Sequence, residues 1–277
     1  MQRACVIGWP VEHSRSPLIH RYWLKQYGID GAYEKEAVRP EDLARFLGSL
    51  AARGYAGANV TLPHKEAALR LSAVVDEAAR AIGAANTLWL DQAGRLCAGN
   101  SDAYGFMTNL TAEAPDWNRG RRPVMVLGGG GAARAILYGL LNEGAARILL
   151  ANRTRDRAEG LAQAFGPSVQ LVDWEDRHRA PAGCGLLVNA TSLGMTGRET
   201  LDIDLEALPA DAVVADLVYS PLETKLLAAA RARGNQVVDG LGMLLHQAVP
   251  GFERWFGVRP EVTSELRTHV AAALGGK

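Results

Sequence analysis

Apolar positions along the chain fall into two kinds of run. Short, nearly unbroken stretches read as strands, and longer ones with apolar residues three and four apart read as helices. Strands over 4–8, 33–38 and 58–62 alternate with helices over 17–27, 41–52 and 66–71; the middle helix carries Leu43, Phe46, Leu47 and Leu50 on one face. Runs at 86–90 and 95–98 flank Asp91-Gln92-Ala93-Gly94, which predicts a hairpin, and a helix over 103–112 follows. The polar, turn-rich stretch 115–123 is a candidate seam. Beyond it a second series begins: strand 124–127, helix 132–143, strand 147–151, then strands over 185–189, 212–219 and 236–238. The tail from Leu241 is helical, with Pro250 expected to break or kink it. This alternation predicts βαβ units, mostly parallel sheets and an α/β fold.

Composition narrows the partners. The 277 residues include 30 Lys+Arg and 30 Asp+Glu, so the chain lacks the basic excess that nucleic acid or an anionic membrane surface calls for. With 48% hydrophobic and 22% charged residues it reads as globular rather than disordered. No apolar run approaches the roughly 20 residues of a membrane span, and the first residues lack a signal peptide's apolar core. Cys5, Cys97 and Cys184 are odd in number and far apart, which points to a reducing, cytoplasmic setting. The six histidines show no metal-ligand spacing, so no metal is expected.

Gly128-Gly129-Gly130-Gly131-Ala132-Ala133 lies between the strand at 124–127 and the helix at 132–143. That strand–turn–helix setting fits G-x-G-x-x-G/A, in which glycines admit a pyrophosphate to the free N–H groups of a helix start. A merely structural glycine turn would look alike. In an NAD site the next strand ends in Asp or Glu, which binds the ribose 2′-OH. Here it runs into Asn152-Arg153-Thr154-Arg155-Asp156-Arg157, with no acid between Gly144 and Arg155. Guanidinium groups suit a phosphate, so the expected cofactor is NADP; the alternative is a solvated basic loop.

Three further segments carry chemistry. Lys65 stands at the start of a helix, where the dipole disfavours a cation and suits it to proton transfer; the alternative is an ordinary surface lysine in a first turn. Asp102, in Asn100-Ser101-Asp102, ends the hairpin and precedes a helix, where it can simply be an N-cap or first-turn acid. In His13-Ser14-Arg15-Ser16-Pro17, Ser16 is expected to cap a helix with Pro17 in its first turn, and the two hydroxyls would suit a ligand carboxylate. His13, His20 and His246 are expected to make structural hydrogen bonds, and Phe252-Glu253-Arg254-Trp255-Phe256 to pack a core.

Taken together, these segments resemble the shikimate dehydrogenase family. The resemblance is carried by Ser14-Arg15-Ser16-Pro17, Asn59-Val60-Thr61-Leu62-Pro63-His64-Lys65, Ala85-Asn86-Thr87, Asn100-Ser101-Asp102 and the glycine turn. Asn152-Arg153-Thr154, Asn189-Ala190-Thr191-Ser192-Leu193-Gly194-Met195, Asp216-Leu217-Val218-Tyr219 and the stretch from Asp239 through Gln247 to Ala248 complete it. It implies reversible NADPH-dependent reduction of 3-dehydroshikimate to shikimate, a step of aromatic amino acid biosynthesis. Lys65 and Asp102 would be the catalytic pair. Ser14 and Ser16 would bind the substrate carboxylate, and Thr61, Asn86, Tyr219 and Gln247 its carboxylate or hydroxyls. Gly128, Gly129, Gly130, Gly131 and Ala132 would receive the pyrophosphate, and Asn152, Arg153, Thr154, Arg155, Asp156 and Arg157 would form the 2′-phosphate turn. Leu217 and Gly240 would lie near the nicotinamide, and Glu77 on the cofactor side.

Some residues depart from the family pattern: Ala103 stands for a glycine, Ser101 for a threonine, His64 for an apolar or aromatic residue, and Gly129 for an alanine. The expected architecture is a substrate domain of residues 1–103 completed by 240–277, and a Rossmann NADP domain of 104–239, as a monomer or homodimer. The site would lie in the cleft between the domains. The rival readings are a quinate or aminoshikimate dehydrogenase of the same family and a non-catalytic NADP(H)-binding regulator.

Overall fold

A computed structural model of the chain describes residues 1–275. Its internal contacts divide it into two compact units, Met1–Asp102 with Gln247–Val270, and Ala103–His246 with the described residues 271–275.

In the first unit the chain runs β1 (Gln2–Gly8), α1 (Ser16–Gln26), β2 (Gly31–Ala37), α2 (Leu43–Gly48), β3 (Tyr55–Val60), α3 (Lys65–Leu71), β4 (Val74–Val75), α4 (Glu77–Ile82), β5 (Thr87–Leu90) and β6 (Leu96–Gly99). The sheet order is β2-β1-β3-β5-β6-β4. The expected parallel pairing holds for β1 with β2 and β3 and for β4 with β6, while β5 runs antiparallel to both β3 and β6. The expected helix over 41–52 is shorter: a 3-10 turn over Pro40–Asp42 leads into α2, which ends at Gly48 once Leu43, Phe46 and Leu47 are buried.

The second unit takes up α5 (Asp102–Glu113) after its first residue. It continues β7 (Val124–Leu127), α6 (Gly131–Asn142), β8 (Ile148–Ala151), α7 (Arg155–Phe165), β9 (Val169–Val172), β10 (Leu186–Asn189), β11 (Val213–Asp216), α8 (Lys225–Ala232), β12 (Gln236–Val238) and α9 (Gly240–His246). All pairings in the sheet β12-β11-β10-β7-β8-β9 are parallel. Successive side chains of a strand point to opposite faces, so a sheet covered on both sides needs continuous apolar runs. Val124, Val126, Ile148, Leu150, Leu186 and Val188 pack one core, and Met125, Leu127, Leu149, Ala151 and Leu187 the other. The polar stretch 115–123 lies within this unit.

Helices α10 (Val249–Phe256) and α11 (Ser264–Gly275) end the described chain. The sequence places the return to the first domain at residue 240. In the structure α9 stays with the second unit, where Asn109 Nδ2 donates to Asp239 O at 3.0 Å, and the return falls at Gln247. The helical tail is interrupted as expected, at 247–248 just before Pro250, which occupies the first turn of α10, where no N–H partner is needed. From α10, Trp255 Nε1 donates to Leu88 O at 2.9 Å, and a Cβ on Gly57 would lie 2.1 Å from that indole nitrogen, so β3 must carry glycine there.

Candidate active site

The strand directions of the first sheet bring the substrate-side residues to one edge. Ser14 and Ser16 follow the carboxyl end of β1, and Thr61 and Lys65 follow that of β3, its parallel neighbour. Because β5 is antiparallel, its amino end abuts the carboxyl end of β3, and Val60 N donates to Asn86 O at 2.8 Å. The β5–β6 hairpin pairs Thr87 with Gly99, which sets Asn100, Ser101 and Asp102 beside Asn86.

Lys65 is the first residue of α3 and Asp102 the first of α5. Lys65 Nζ donates to Asp102 Oδ2 at 2.6 Å, with both side chains partly buried. Asn86 Nδ2 donates to Asp102 Oδ1 at 2.8 Å, and Asn100 Oδ1 accepts from the Asp102 N–H at 2.9 Å. Asp102 is thus a first-turn acid capped by Asn100, with both carboxylate oxygens engaged.

Ser16 does not cap α1. The capping position is Arg15, without a side-chain bond, and Ser16 opens the helix itself. Ser14 Oγ accepts from the Ser16 N–H at 3.4 Å and lies 3.3 Å from Ser16 Oγ, so the two hydroxyls still cluster at the helix start. Thr61 N donates to Ile7 O at 2.9 Å, and the main-chain oxygen of Gln247 accepts from Ser101 Oγ at 2.7 Å. His64 is buried with Nε2 2.7 Å from Val38 O; a carbonyl only accepts, so this ring nitrogen carries the proton and the residue is structural. Glu77 opens α4 in the first unit and is exposed.

A second polar layer lies beneath the pair. Tyr33 Oη donates to Asn59 Oδ1 at 2.5 Å, and Asn59 Nδ2 donates to Asn86 O at 3.2 Å. His20 stacks on Tyr33 with ring centroids 4.0 Å apart, and neither of its ring nitrogens has a hydrogen-bond partner. This corrects the expectation of a structural hydrogen bond: His20 packs as an aromatic ring among Trp23, Phe252 and Trp255. Burial pushes its pKa down to about 3. Sequence reasoning quotes Asn59 and Thr87 only within longer segments and misses that both are buried and hydrogen-bonded here; the available signal is a polar side chain inside an apolar strand.

In the second unit the strand order reverses between β7 and β10, and open α/β sheets bind ligands beyond the strand ends at such a point. Gly128 has φ +125°, and a Cβ there would lie 2.9 Å from Ala190 O, so only glycine fits this turn. Nothing lies within 4 Å of a Cβ built on Gly130 or Gly131, which leaves room for phosphates at the start of α6, next to Ala132. Asn152 and Arg157 reach the same turn: a Cβ on Gly129 would stand 2.8 Å from the Asn152 amide and 3.1 Å from Arg157 Cβ. Residues 155–157 are not a loop but the first turn of α7, with Thr154 at its cap position. Arg155 is tied to Glu159 at 2.8 Å and to Asp173, whereas Arg153 lies 3.7 Å from Glu199 and is largely exposed. Among the described residues Arg157 has no ion-pair partner. Asp156 is an exposed first-turn acid.

At the end of β11, Asp216 is buried, which pushes its carboxyl above the ordinary range. It accepts from Thr224 Oγ1 at 2.7 Å, Asn189 Nδ2 at 2.9 Å and Val218 N at 3.0 Å, which pins the segment leading to Tyr219. Leu217 and Gly240 are brought together, since a Cβ on Gly240 would lie 2.2 Å from Leu217 O. The glycine turn and the 152–157 segment therefore fit a phosphorylated dinucleotide, without a carboxylate at the strand end to repel the extra phosphate.

Among the described residues no helix is long and apolar enough to cross a membrane, and no cluster of three His, Cys, Asp or Glu could hold a metal ion.

Residues 6–88 match the shikimate dehydrogenase substrate binding domain, 112–195 the shikimate / quinate 5-dehydrogenase family, and 240–264 the shikimate 5′-dehydrogenase C-terminal domain. The chain is 59% identical over 274 residues to the shikimate dehydrogenase (NADP(+)) of Rhodopseudomonas palustris strain HaA2, covering 99% of this chain and 97% of that one. It is 54% identical to the protein of the same name in Brucella abortus strain S19, covering 99% and 95%. Among solved structures it resembles shikimate 5-dehydrogenase from Thermus thermophilus in complex with NADP(H) and shikimate, at TM-score 0.85, 36% identity and coverage of 99% and 98%. It also resembles quinate dehydrogenase from Corynebacterium glutamicum in complex with NAD, at TM-score 0.91, 31% identity and coverage of 98% and 99%.

Proposed function

The chain belongs to the shikimate dehydrogenase family, and on that footing we infer that it catalyses the reversible NADPH-dependent reduction of 3-dehydroshikimate to shikimate. The observation that carries the reading is the Lys65–Asp102 pair, held at 2.6 Å on the edge where the substrate-side residues converge.

Bound NADPH supplies the hydride for the substrate's C3 carbonyl carbon. As negative charge grows on the C3 oxygen, Lys65 Nζ hands it a proton, and in the reverse direction Lys65 takes that proton back. Asp102 orients the ammonium group and the substrate hydroxyl, while Asn86 stands behind Asp102. Acid–base catalysis of this kind is worth about 10²–10⁴-fold. Ser14 and Ser16 hold the substrate carboxylate at the start of α1, and Thr61, Gln247 and Tyr219 serve the remaining oxygens. Gly128–Gly131, Ala132, Leu217 and Gly240 line the dinucleotide. Asn152, Arg153, Thr154 and Arg157 hold its 2′-phosphate. We assign the first unit to the substrate and the second to NADP, as a monomer or homodimer in the cytosol, where Cys5, Cys97 and Cys184 stay free.

Lys65→Ala tests the reading. Turnover should fall about 10²-fold or more with NADP binding retained. Unchanged turnover would remove Lys65 from the mechanism.

A further inference from the structure

Asn86 is a side chain whose hydrogen-bonding capacity can be counted out completely. Its carbonyl oxygen accepts from Thr87 Oγ1 and from Ser101 N, both at 2.9 Å. Ser101 Oγ has one proton, which its shortest bond, 2.7 Å to Gln247 O, takes up. The 3.1 Å contact between Asn86 Nδ2 and Ser101 Oγ is therefore donated by Asn86. The remaining Nδ2 proton goes to Asp102 Oδ1 at 2.8 Å. A primary amide offers two donors and two lone pairs, and all four are used.

We propose that Thr87 is a positioning residue for the reaction, acting through Asn86 to hold Asp102 against Lys65. Turning the Asn86 amide over would set its NH₂ against the Ser101 N–H and its oxygen against the Asp102 carboxylate, donor on donor and acceptor on acceptor. The Ser101 N–H, which can only donate, selects the orientation that presents a donor to Asp102 Oδ1, and the Thr87 hydroxyl adds a second bond that holds the same amide oxygen in place. Oδ2 is then left facing Lys65. Thr87 is 3% exposed and lies in the strand between buried Asn86 and buried Leu88, where packing alone would accept valine. Its hydroxyl donates its one proton into this network, to Asn86 Oδ1 at 2.9 Å, while Ser101 Oγ, 3.3 Å away, has its own proton committed to Gln247 O.

The inference rests on the Lys65–Asp102 reading, and the experiment separates the two. Thr87→Val and Thr87→Ser are compared with wild type in the full-length enzyme by steady-state kinetics, with thermal unfolding on each. Thr87→Val, which loses one hydrogen bond to the amide, should lower kcat about 5-fold with KM for NADP unchanged. Thr87→Ser should restore kcat to within about 2-fold, because it returns the hydroxyl. Thr87→Ala should show the same kcat loss if valine is not accommodated. A wild-type kcat in the hydroxyl-free variants overturns the proposal, whether or not their Tm falls. So does a Thr87→Ser variant as impaired as Thr87→Val, since packing would then be the cause. If Lys65→Ala keeps its turnover, the catalytic reading itself fails; if it is inactive while Thr87→Val is unaffected, only the role of Thr87 fails.

Discussion

At the scale of single residues, the first unit holds two polar groups with opposite assignments. Lys65 and Asp102 are partly exposed and paired. His20 is fully buried, stacked and without a hydrogen bond, so it serves the core. Its pKa is depressed to about 3, so between its ordinary value near 6.5 and 3 the unfolded chain binds a proton that the fold does not. The resulting stability is fully present above pH 6.5 and is lost as pH falls toward 3. Between pH 7.5 and 5 the loss from this residue should be about 2 kcal/mol. His20→Leu should remove that part of the acid slope, as measured by urea denaturation of both proteins at the two pH values. Parallel slopes would show that His20 is not the group responsible. None of this is legible in the sequence, where a histidine in a helix does not reveal whether both ring nitrogens will be desolvated.

At the scale of elements, α7 separates three arginines that the sequence presents as equals. Arg155 and Arg157 are both in its first turn, but only Arg155 has acidic partners, Glu159 one turn on and Asp173 after β9. Arg157 instead packs beside Gly129. Arg157→Ala should therefore raise KM for NADP about 10-fold, the scale of one charge-assisted hydrogen bond, and leave KM for NAD nearly unchanged. Arg155→Ala should stay within about 2-fold on both. Equal effects of the two variants would reject the assignment. The helix itself escapes the periodicity reading because it buries little more than Ala158 and Leu161. Strand β7, by contrast, is legible to the residue, since Val124–Leu127 is apolar on both faces. Gly128→Ala adds a test of the turn: with φ at +125° and Ala190 O in the way, it should cost about 2 kcal/mol or more, by denaturant midpoint.

At the scale of the whole molecule, the first unit is not contiguous in sequence. Segment 247–270 brings Phe252 and Trp255 against α1, β2 and β3, so the substrate-side residues stand on a sheet finished by the end of the chain. Trp255→Ala should destabilise the protein by about 3–5 kcal/mol in chemical denaturation, through a lost aromatic core residue and an unpaired Leu88 carbonyl. The choice of substrate also belongs here, since relatives of the same fold include one named for quinate and solved with NAD. Turnover of shikimate and quinate with NADP and NAD should favour shikimate with NADP; a wide margin for quinate or NAD would reject the substrate reading.

The βαβ alternation, the glycine turn, the arginine-rich strand end and the Lys65 and Asp102 segments are legible along the chain, whereas α4, α7, α8 and the short strands β4 and β9 are not. Each legible feature depends on neighbours in sequence: apolar period, turn chemistry, charge spacing. Which arginine is spoken for, where the chain returns to the first unit, and how Thr87 and Ser101 saturate Asn86 depend on partners far apart in sequence. Hydrogen bonds and ion pairs have short reach and limited valence. Their allocation is settled only when strand direction and register bring distant segments within about 3 Å of each other.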